Sequence, residues 1–458
     1  MIKRQPTSVI LGAGLSGLSA AYHLKSGYSL FEKESEPGGM ARSVYKDGYT
    51  FDYDGHLLHF RSEYAFSLIN KLVDGNLAPH KRSSWIYSKG SYTRYPFQAN
   101  FYGLPKDVVK DCLLGIIRAR TNLLNGKVDL SGNFENWIRK VFGKGIAEHF
   151  MLPYNRKFWT VESADLTCDW LDGFVPVPTL EDTVTGAIST NTKAYGYNSR
   201  FWYPVKGGIS EVVEGFLRKV NNIHVNKKAV TIDQYRKEIV FEDGTIRRFK
   251  RMITTIPMPE LLKLLVNLPV HVKKAFAALR YTSIFVVNLG IGKDDITDRH
   301  WVYYPEEDMV FYRTGFATNF SLDVAPPGKT SVYIEISYSD RCPLDKEKAV
   351  RDTIKALKGL GIISDESEIE ICLPMDIKYG YAIYDINRKW AVQVIKDYLQ
   401  HFGIYSIGRY GSWSYMSMED VILEGRETAA KLLNRGTCAG CDPIPQGYGA
   451  RAEFTRKL

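Results

Sequence analysis

The sequence predicts an α/β protein: a doubly wound, Rossmann-like domain, a mixed-sheet domain and a helical lobe. Three observations carry this. Between Ser8 and Glu32 the chain reads strand, glycine turn, helix, strand. A largely helical pattern follows from about residue 64 to residue 150. After about Val225 the texture changes to short apolar runs punctuated by turn residues. A chain of 458 residues that is 45% hydrophobic and 24% charged buries more than one core, which excludes a disordered tail or a small disulfide scaffold.

Ser8-Val9-Ile10-Leu11 has the continuous apolar character of a buried parallel strand. Gly12-Ala13-Gly14-Leu15-Ser16-Gly17 follows at once, and Leu18, Ala21, Tyr22 and Leu24 then recur at helical spacing. Each glycine has a task in such a turn. Gly12 permits the tight bend, Gly14 lets the backbone approach a pyrophosphate, and Gly17 lets helix and strand pack closely. The helix N-terminus at Leu15 and Ser16 then faces the anion. Tyr28–Phe31 reads as the second strand, and Glu32 at its end is placed to bind ribose hydroxyls.

Helical periodicity spans about Tyr64 to Arg82 and Leu104 to Phe150. Lys228–Asp233, Lys237–Phe241 and Met252–Ile256 read as strands returning to the first sheet, with a hairpin signal at Asp243-Gly244. A further sheet is expected from Ser283–Leu289, Val302–Tyr304, Met309–Tyr312 and Ser331–Ile336, and a closing helix from Glu419 to Leu433. The expected division is 1–62, 201–270 and 401–434 for the cofactor domain, 63–200 for the helical and substrate-binding lobe, 271–400 for the second sheet, and 435–458 for a loose tail. Thr179 to Asn198, rich in Thr, Gly, Ser and Asn, reads as a lid that closes over substrate.

Sixty Lys and Arg against 51 Asp and Glu leave a net charge of +9, which favours small anionic ligands and does not by itself indicate nucleic acid. Among the six cysteines only Cys438 and Cys441 have CxxC spacing, a weak zinc signal, so no metal and a reducing compartment are expected. With no secretory leader and no apolar run near 18 residues, the expectation is a cytoplasmic protein without an integral membrane segment.

Glu32-Lys33-Glu34-Ser35-Glu36-Pro37-Gly38-Gly39-Met40-Ala41-Arg42-Ser43 resembles the second glycine pair of FAD enzymes of the glutathione-reductase type. The resemblance implies cofactor contacts from Lys33, Gly39, Met40 and Ala41, with Arg42 at the pyrophosphate. It also implies an adenine contact at Val230, and a closing strand and helix at Tyr405-Ser-Ile-Gly408-Arg409 and Met418. On this reading the cofactor is FAD rather than NAD.

The chain through about residue 433 resembles the superfamily of FAD-dependent amine oxidases, protoporphyrinogen oxidases and UDP-galactopyranose mutases, and its middle segments are most similar to the mutases. Asp54-Gly55-His56-Leu57-Leu58-His59-Phe60 resembles the mutase glycine-histidine loop, which puts His56 against the flavin ring. Trp85-Ile-Tyr87 with Tyr95-Pro96-Phe97 resembles a mutase strand pair. Tyr154 and Trp159 match aromatics that bracket the nucleotide, and their five-residue separation keeps them off one helical stripe. Arg200 and Arg313 match a pair of guanidinium groups that clamp the diphosphate. Tyr338, Tyr381, Arg409 and Tyr415 match further substrate neighbours. Two departures stand out: Ile209 follows Gly208 where the family has tyrosine, and Ala382 follows Tyr381 where it has proline.

The resemblance implies a mutase that interconverts pyranose and furanose forms of a nucleotide-diphosphate sugar, for glycan precursor synthesis. Reduced flavin is the nucleophile, NAD(P)H an external reductant, and His56, Arg200 and Arg313 the catalytic residues. An amine-oxidase-like or protoporphyrinogen-oxidase-like oxidoreductase and a non-catalytic binding protein remain alternatives, and self-association is left open.

Overall fold

A computed structural model describes residues 8–126, 129–171 and 174–433. Its first sheet has five parallel strands in the order Ile404–Ser406, Arg251–Thr254, Ser8–Leu11, Tyr28–Phe31, Ile223–His224. Every residue of Ser8–Leu11 is buried, as a strand flanked on both sides requires. The chain leaves this central strand in one direction and returns on its other side. The crevice at the carboxyl ends of Ser8–Leu11 and Arg251–Thr254 is therefore the switch point where such sheets bind ligands.

Helix Leu15–Leu24 covers the sheet and packs against the closing helix Met418–Leu433, where the Ser19 hydroxyl donates to the Ile422 carbonyl at 2.6 Å. A Cβ on Gly17 would lie 2.0 Å from the Gly12 carbonyl oxygen, so only glycine lets the helix turn back this closely.

The second sheet has seven strands in the order Ile369–Ala382, Tyr281–Ile291, Thr330–Tyr338, Arg313–Phe316, Trp301–Tyr303, Ser84–Ser88, Ser91–Arg94. It is antiparallel except where Trp301–Tyr303 runs parallel to Ser84–Ser88. The helical lobe comprises Lys106–Leu124, Phe134–Ile146, a π-helical turn at Ala147–Met151, Leu152–Trp159 and Leu180–Ile188.

Several elements differ from expectation. The helix expected to Arg82 ends at Leu72, because Asp74 and Gly75 adopt positive φ of 51° and 77° and Pro79 cannot continue a helix. The chain instead forms a strand, Leu77–Lys81, paired with Arg200–Pro204. Of the strands expected to rejoin the first sheet, only Arg251–Thr254 does so. Ala229–Asp233, Glu238–Phe241 and Ile246–Arg248 form their own antiparallel sheet, since short turns join neighbours antiparallel and a parallel sheet needs crossovers. Met309–Tyr312 is turn and loop, and the strand starts immediately after it, at Arg313. The expected lid contains a helix, Leu180–Ile188, started by a capping box between Thr179 and Asp182. Cys438, Cys441 and the tail lie outside the described residues.

Candidate active site

One continuous cavity of about 1020 Å³ lies between the switch point, the helical lobe and the seven-stranded sheet. That is at the upper end of the ~300–1,000 Å³ usual for a drug-sized ligand, which leaves room for a cofactor and a second molecule.

At the switch-point end the wall includes Gly12, Gly14, Leu15, Ser16, Glu32, Lys33, Gly39, Met40, Ala41 and Arg42. Gly14 caps the helix Leu15–Leu24 without a side-chain hydrogen bond, so the first amides of that helix are left for a ligand. A Cβ on Gly14 would meet nothing nearer than the Gly39 Cα at 4.0 Å. The glycine therefore keeps open space, and protein packing does not demand it. The Glu32 carboxylate accepts the Ala13 amide at 2.8 Å and the Glu34 amide at 3.0 Å, which fixes it at the strand end. Arg42 donates to the Gly39 carbonyl at 2.9 Å and lies 4.9 Å from the centre of the Tyr53 ring. An open glycine backbone, unsatisfied helix amides, a fixed carboxylate and a guanidinium fit a dinucleotide with its pyrophosphate on the helix.

The far end is aromatic. Tyr154 stacks on Phe150 with ring centres 5.3 Å apart, Phe158 lies 4.3 Å from Tyr381, and Tyr381 stacks on Tyr415 at 5.7 Å. Burial pushes the Tyr154 and Tyr381 hydroxyls well above the usual phenol range, so both act as neutral donors. Arg409 donates to the Met416 carbonyl at 2.6 Å, and its guanidinium lies 4.7 Å from the Tyr415 ring centre and 5.2 Å from that of Tyr381. His56 lies on the wall with its Nδ1 3.1 Å from the Asp54 carbonyl oxygen. Burial holds His59 down to about 4, so this wall residue is neutral at neutral pH.

Arg313 reaches the cavity already paired. It donates to one Glu335 oxygen through Nε at 2.8 Å and Nη2 at 2.5 Å, and Asp54 Oδ1 is 3.7 Å away. Arg313 thus lines the cavity with its guanidinium already shared between two carboxyl groups of its own chain.

Four expected residues stand away from the wall. Trp159 is fully buried in the core, 5.1 Å from Trp170 and 5.8 Å from Tyr381, and does not face the cavity. Arg200 is exposed at the start of its strand, outside the cavity lining. The Tyr338 hydroxyl donates to Asp376 at 2.6 Å, leaving Asp376 and not Tyr338 on the wall. Val230 is 37% exposed, and its neighbours Lys228 and Ala229 take the wall position instead. Gly17 acts through packing, while Gly408 and Met418 line the cavity as expected positions of the closing segment. Sequence reasoning did not single out Asp54, Tyr303 or Phe158 on the wall, or Glu335 behind it. Among these, Asp54 carries a sequence signal as the acidic first residue of the histidine loop.

The glycine turn, the closing helix and the second sheet over a long cavity define the class as a flavoenzyme of the two-sheet kind. Residues 15–433 match the model of the family described as flavin containing amine oxidoreductase, and the chain belongs to that family. The crystal structure of a reduced UDP-galactopyranose mutase is similar along nearly the whole chain: 27% identity, 94% of this chain and 96% of that chain covered, TM-score 0.89. A putative protoporphyrinogen oxidase from Exiguobacterium sp. 255-15 shares the fold at 14% identity, TM-score 0.69, with 93% and 98% of the two chains covered. A redesigned putrescine oxidase shares it at 15% identity, TM-score 0.65, covering 93% and 99%. Among the described residues no helix is long and apolar enough to cross a membrane.

Proposed function

We propose that this chain is an FAD-dependent mutase that interconverts the pyranose and furanose forms of a nucleotide-diphosphate sugar. The observation that carries the reading is the likeness to UDP-galactopyranose mutase, at 27% identity over 94% of the chain, where the oxidases reach 14% and 15%. When bound, reduced FAD supplies an electron-rich nucleophile for the anomeric carbon, so substrate and product have the same oxidation state.

The chain's own residues divide the work. The amides after Gly14 and the Arg42 guanidinium hold the cofactor pyrophosphate, and Glu32 takes the ribose. Tyr154, Phe158, Tyr381 and Tyr415 exclude water and offer ring faces to the base. Arg409 is the cation that the nucleotide diphosphate meets at the aromatic end, with Arg313 behind it. Arg200 takes part by moving inward with the segment 189–199. NAD(P)H supplies reducing equivalents, and the activity belongs to cytoplasmic synthesis of glycan precursors.

The test is incubation of the dithionite-reduced protein with UDP-, GDP- and dTDP-sugars, following ring size by NMR. Conversion without net flavin oxidation supports the reading, and no conversion of any of them removes it. The family match favours a second reading, an amine-oxidase-like oxidoreductase. It predicts hydrogen peroxide and stoichiometric flavin reduction with amines, which the mutase reading forbids.

A further inference from the structure

Beside His56, Asp54 on the cavity wall and Glu335 behind it share a single guanidinium group, that of Arg313. Arg313 gives both hydrogen bonds to Glu335 Oε1 and sits 3.7 Å from Asp54 Oδ1. Glu335 is fully buried, and its other oxygen, Oε2, finds no donor among the described residues. Asp54 shares the Arg313 Nη2 with Glu335, lies on the cavity wall, and accepts the Gly55 amide at 2.7 Å. Two ionised carboxylates in contact inside a protein repel strongly, and an orphaned buried carboxylate oxygen is costly. A proton between them removes both penalties.

We propose that Asp54 and Glu335 share a single proton, and that Asp54 passes it to a substrate oxygen and recovers it, serving as the acid–base group of the reaction. The identity of that oxygen rests on the mutase reading. Opening a sugar ring breaks the C–O bond at the anomeric carbon. The bond's electron pair goes to the ring oxygen, which must take up a proton to become a hydroxyl. The nucleophile that displaced the diphosphate would supply a second electron pair to that carbon and take it back on closure. Closing the ring through a different hydroxyl forms a new C–O bond and releases that hydroxyl's proton. One shared proton leaves the pair in the first step and returns in the second, so protons balance and no oxidant or reductant is consumed.

The electrostatics agree. Burial, reinforced by Asp54, pushes Glu335 well above the usual carboxylate range despite Arg313. Burial also works to raise Asp54, but its hydrogen bond with Glu335 and the charge of Arg313 bring it below that range. The two opposite shifts fit one proton held by the pair and delivered to the cavity through Asp54, the member on its wall. The pair titrates as a unit.

The test is infrared difference spectroscopy of the flavin-loaded protein at neutral pH, together with steady-state kinetics in H2O and D2O. A protonated-carboxyl C=O band should shift in D2O, vanish in Asp54→Asn and in Glu335→Gln, and survive in Asp52→Asn, the other buried carboxyl raised by burial. Asp54→Asn keeps the shape and an oxygen for the Gly55 amide. It should lower kcat by about 10²–10⁴-fold with KM and flavin content near wild type, the range for loss of a general acid–base group. The solvent isotope effect of the wild type should also change in this variant, which a merely structural role would not produce. Should Glu335→Gln fail to fold, Asp54→Asn alone decides. A wild type with no such band, or Asp54→Asn turning over at the wild-type rate, overturns the proposal. If the band is present and the wild type interconverts no nucleotide sugar, the mutase reading and the catalytic role of Asp54 fall while the shared proton stands.

Discussion

Tyr154 and Trp159 sit on one short helix, and packing treats them in opposite ways. Tyr154 faces the cavity, whereas Trp159 is wedged against Trp170 and Tyr381 at 0% exposure. Their spacing in the sequence separates the two faces but cannot say which face meets a ligand. Replacing Trp159 with Ala should therefore act on stability, costing about 3–5 kcal/mol as large buried aromatics do. A thermal melt should show the loss, with nucleotide affinity of the surviving folded fraction unchanged. Arg409→Ala should act on binding instead. Loss of a charge-assisted contact of about 1.5–3 kcal/mol implies nucleoside diphosphate binding weaker by roughly 10- to 100-fold, measurable by calorimetry with flavin content unchanged. Local motifs made Gly12, Gly14, Gly17 and Glu32 legible because turn, helix start and strand end are contiguous in sequence. Glu335 and Asp54 were not legible together, since only the seven-stranded sheet brings Glu335 under the histidine loop.

At the level of elements, legibility followed the range of the forces involved. Strands Ser8–Leu11 and Tyr28–Phe31 could be read from their own apolar runs. Strand Leu77–Lys81 could not, because its partner Arg200–Pro204 lies far along the chain. The expected lid shows the same division. Leu180–Ile188 is a capped helix whose Gly186 packs against the backbone of Ala99, while residues 189–196 carry no regular structure and end at Gly196 with φ of 78°. If this second part carries Arg200 inward, adding UDP to the loaded protein should slow proteolysis between residues 189 and 199. Cleavage within 180–188 should not change. Equal cleavage of the first segment with and without UDP would mean that Arg200 stays at the rim.

The molecule as a whole stores acid sensitivity in buried histidines. Burial, aided by neighbouring His80, holds His300 down to about 4 from the ordinary 6.5. The unfolded chain therefore takes up this proton at higher pH than the folded one. Stability rises with pH across the interval from about 4 to 6.5 and is lost as pH falls through it. His300 alone contributes on the order of 3 kcal/mol over that interval. Urea denaturation at pH 7 and pH 4.5 should show the difference, and His300→Gln should reduce it.

The order of strands in the parallel sheet has a consequence for how the chain is made. Ser8–Leu11 is synthesised early, but its neighbour Arg251–Thr254 and the outer strand Ile404–Ser406 emerge much later, and the helix that packs on Leu15–Leu24 is later still. The glycine turn therefore waits on the ribosome for most of translation with its sheet half built, exposed to chaperones and proteases. On this order of synthesis, flavin capture is expected only after the closing helix has emerged. A nascent polypeptide stalled before residue 400 should stay colourless, and release past residue 433 should bring the yellow of bound flavin in one late step.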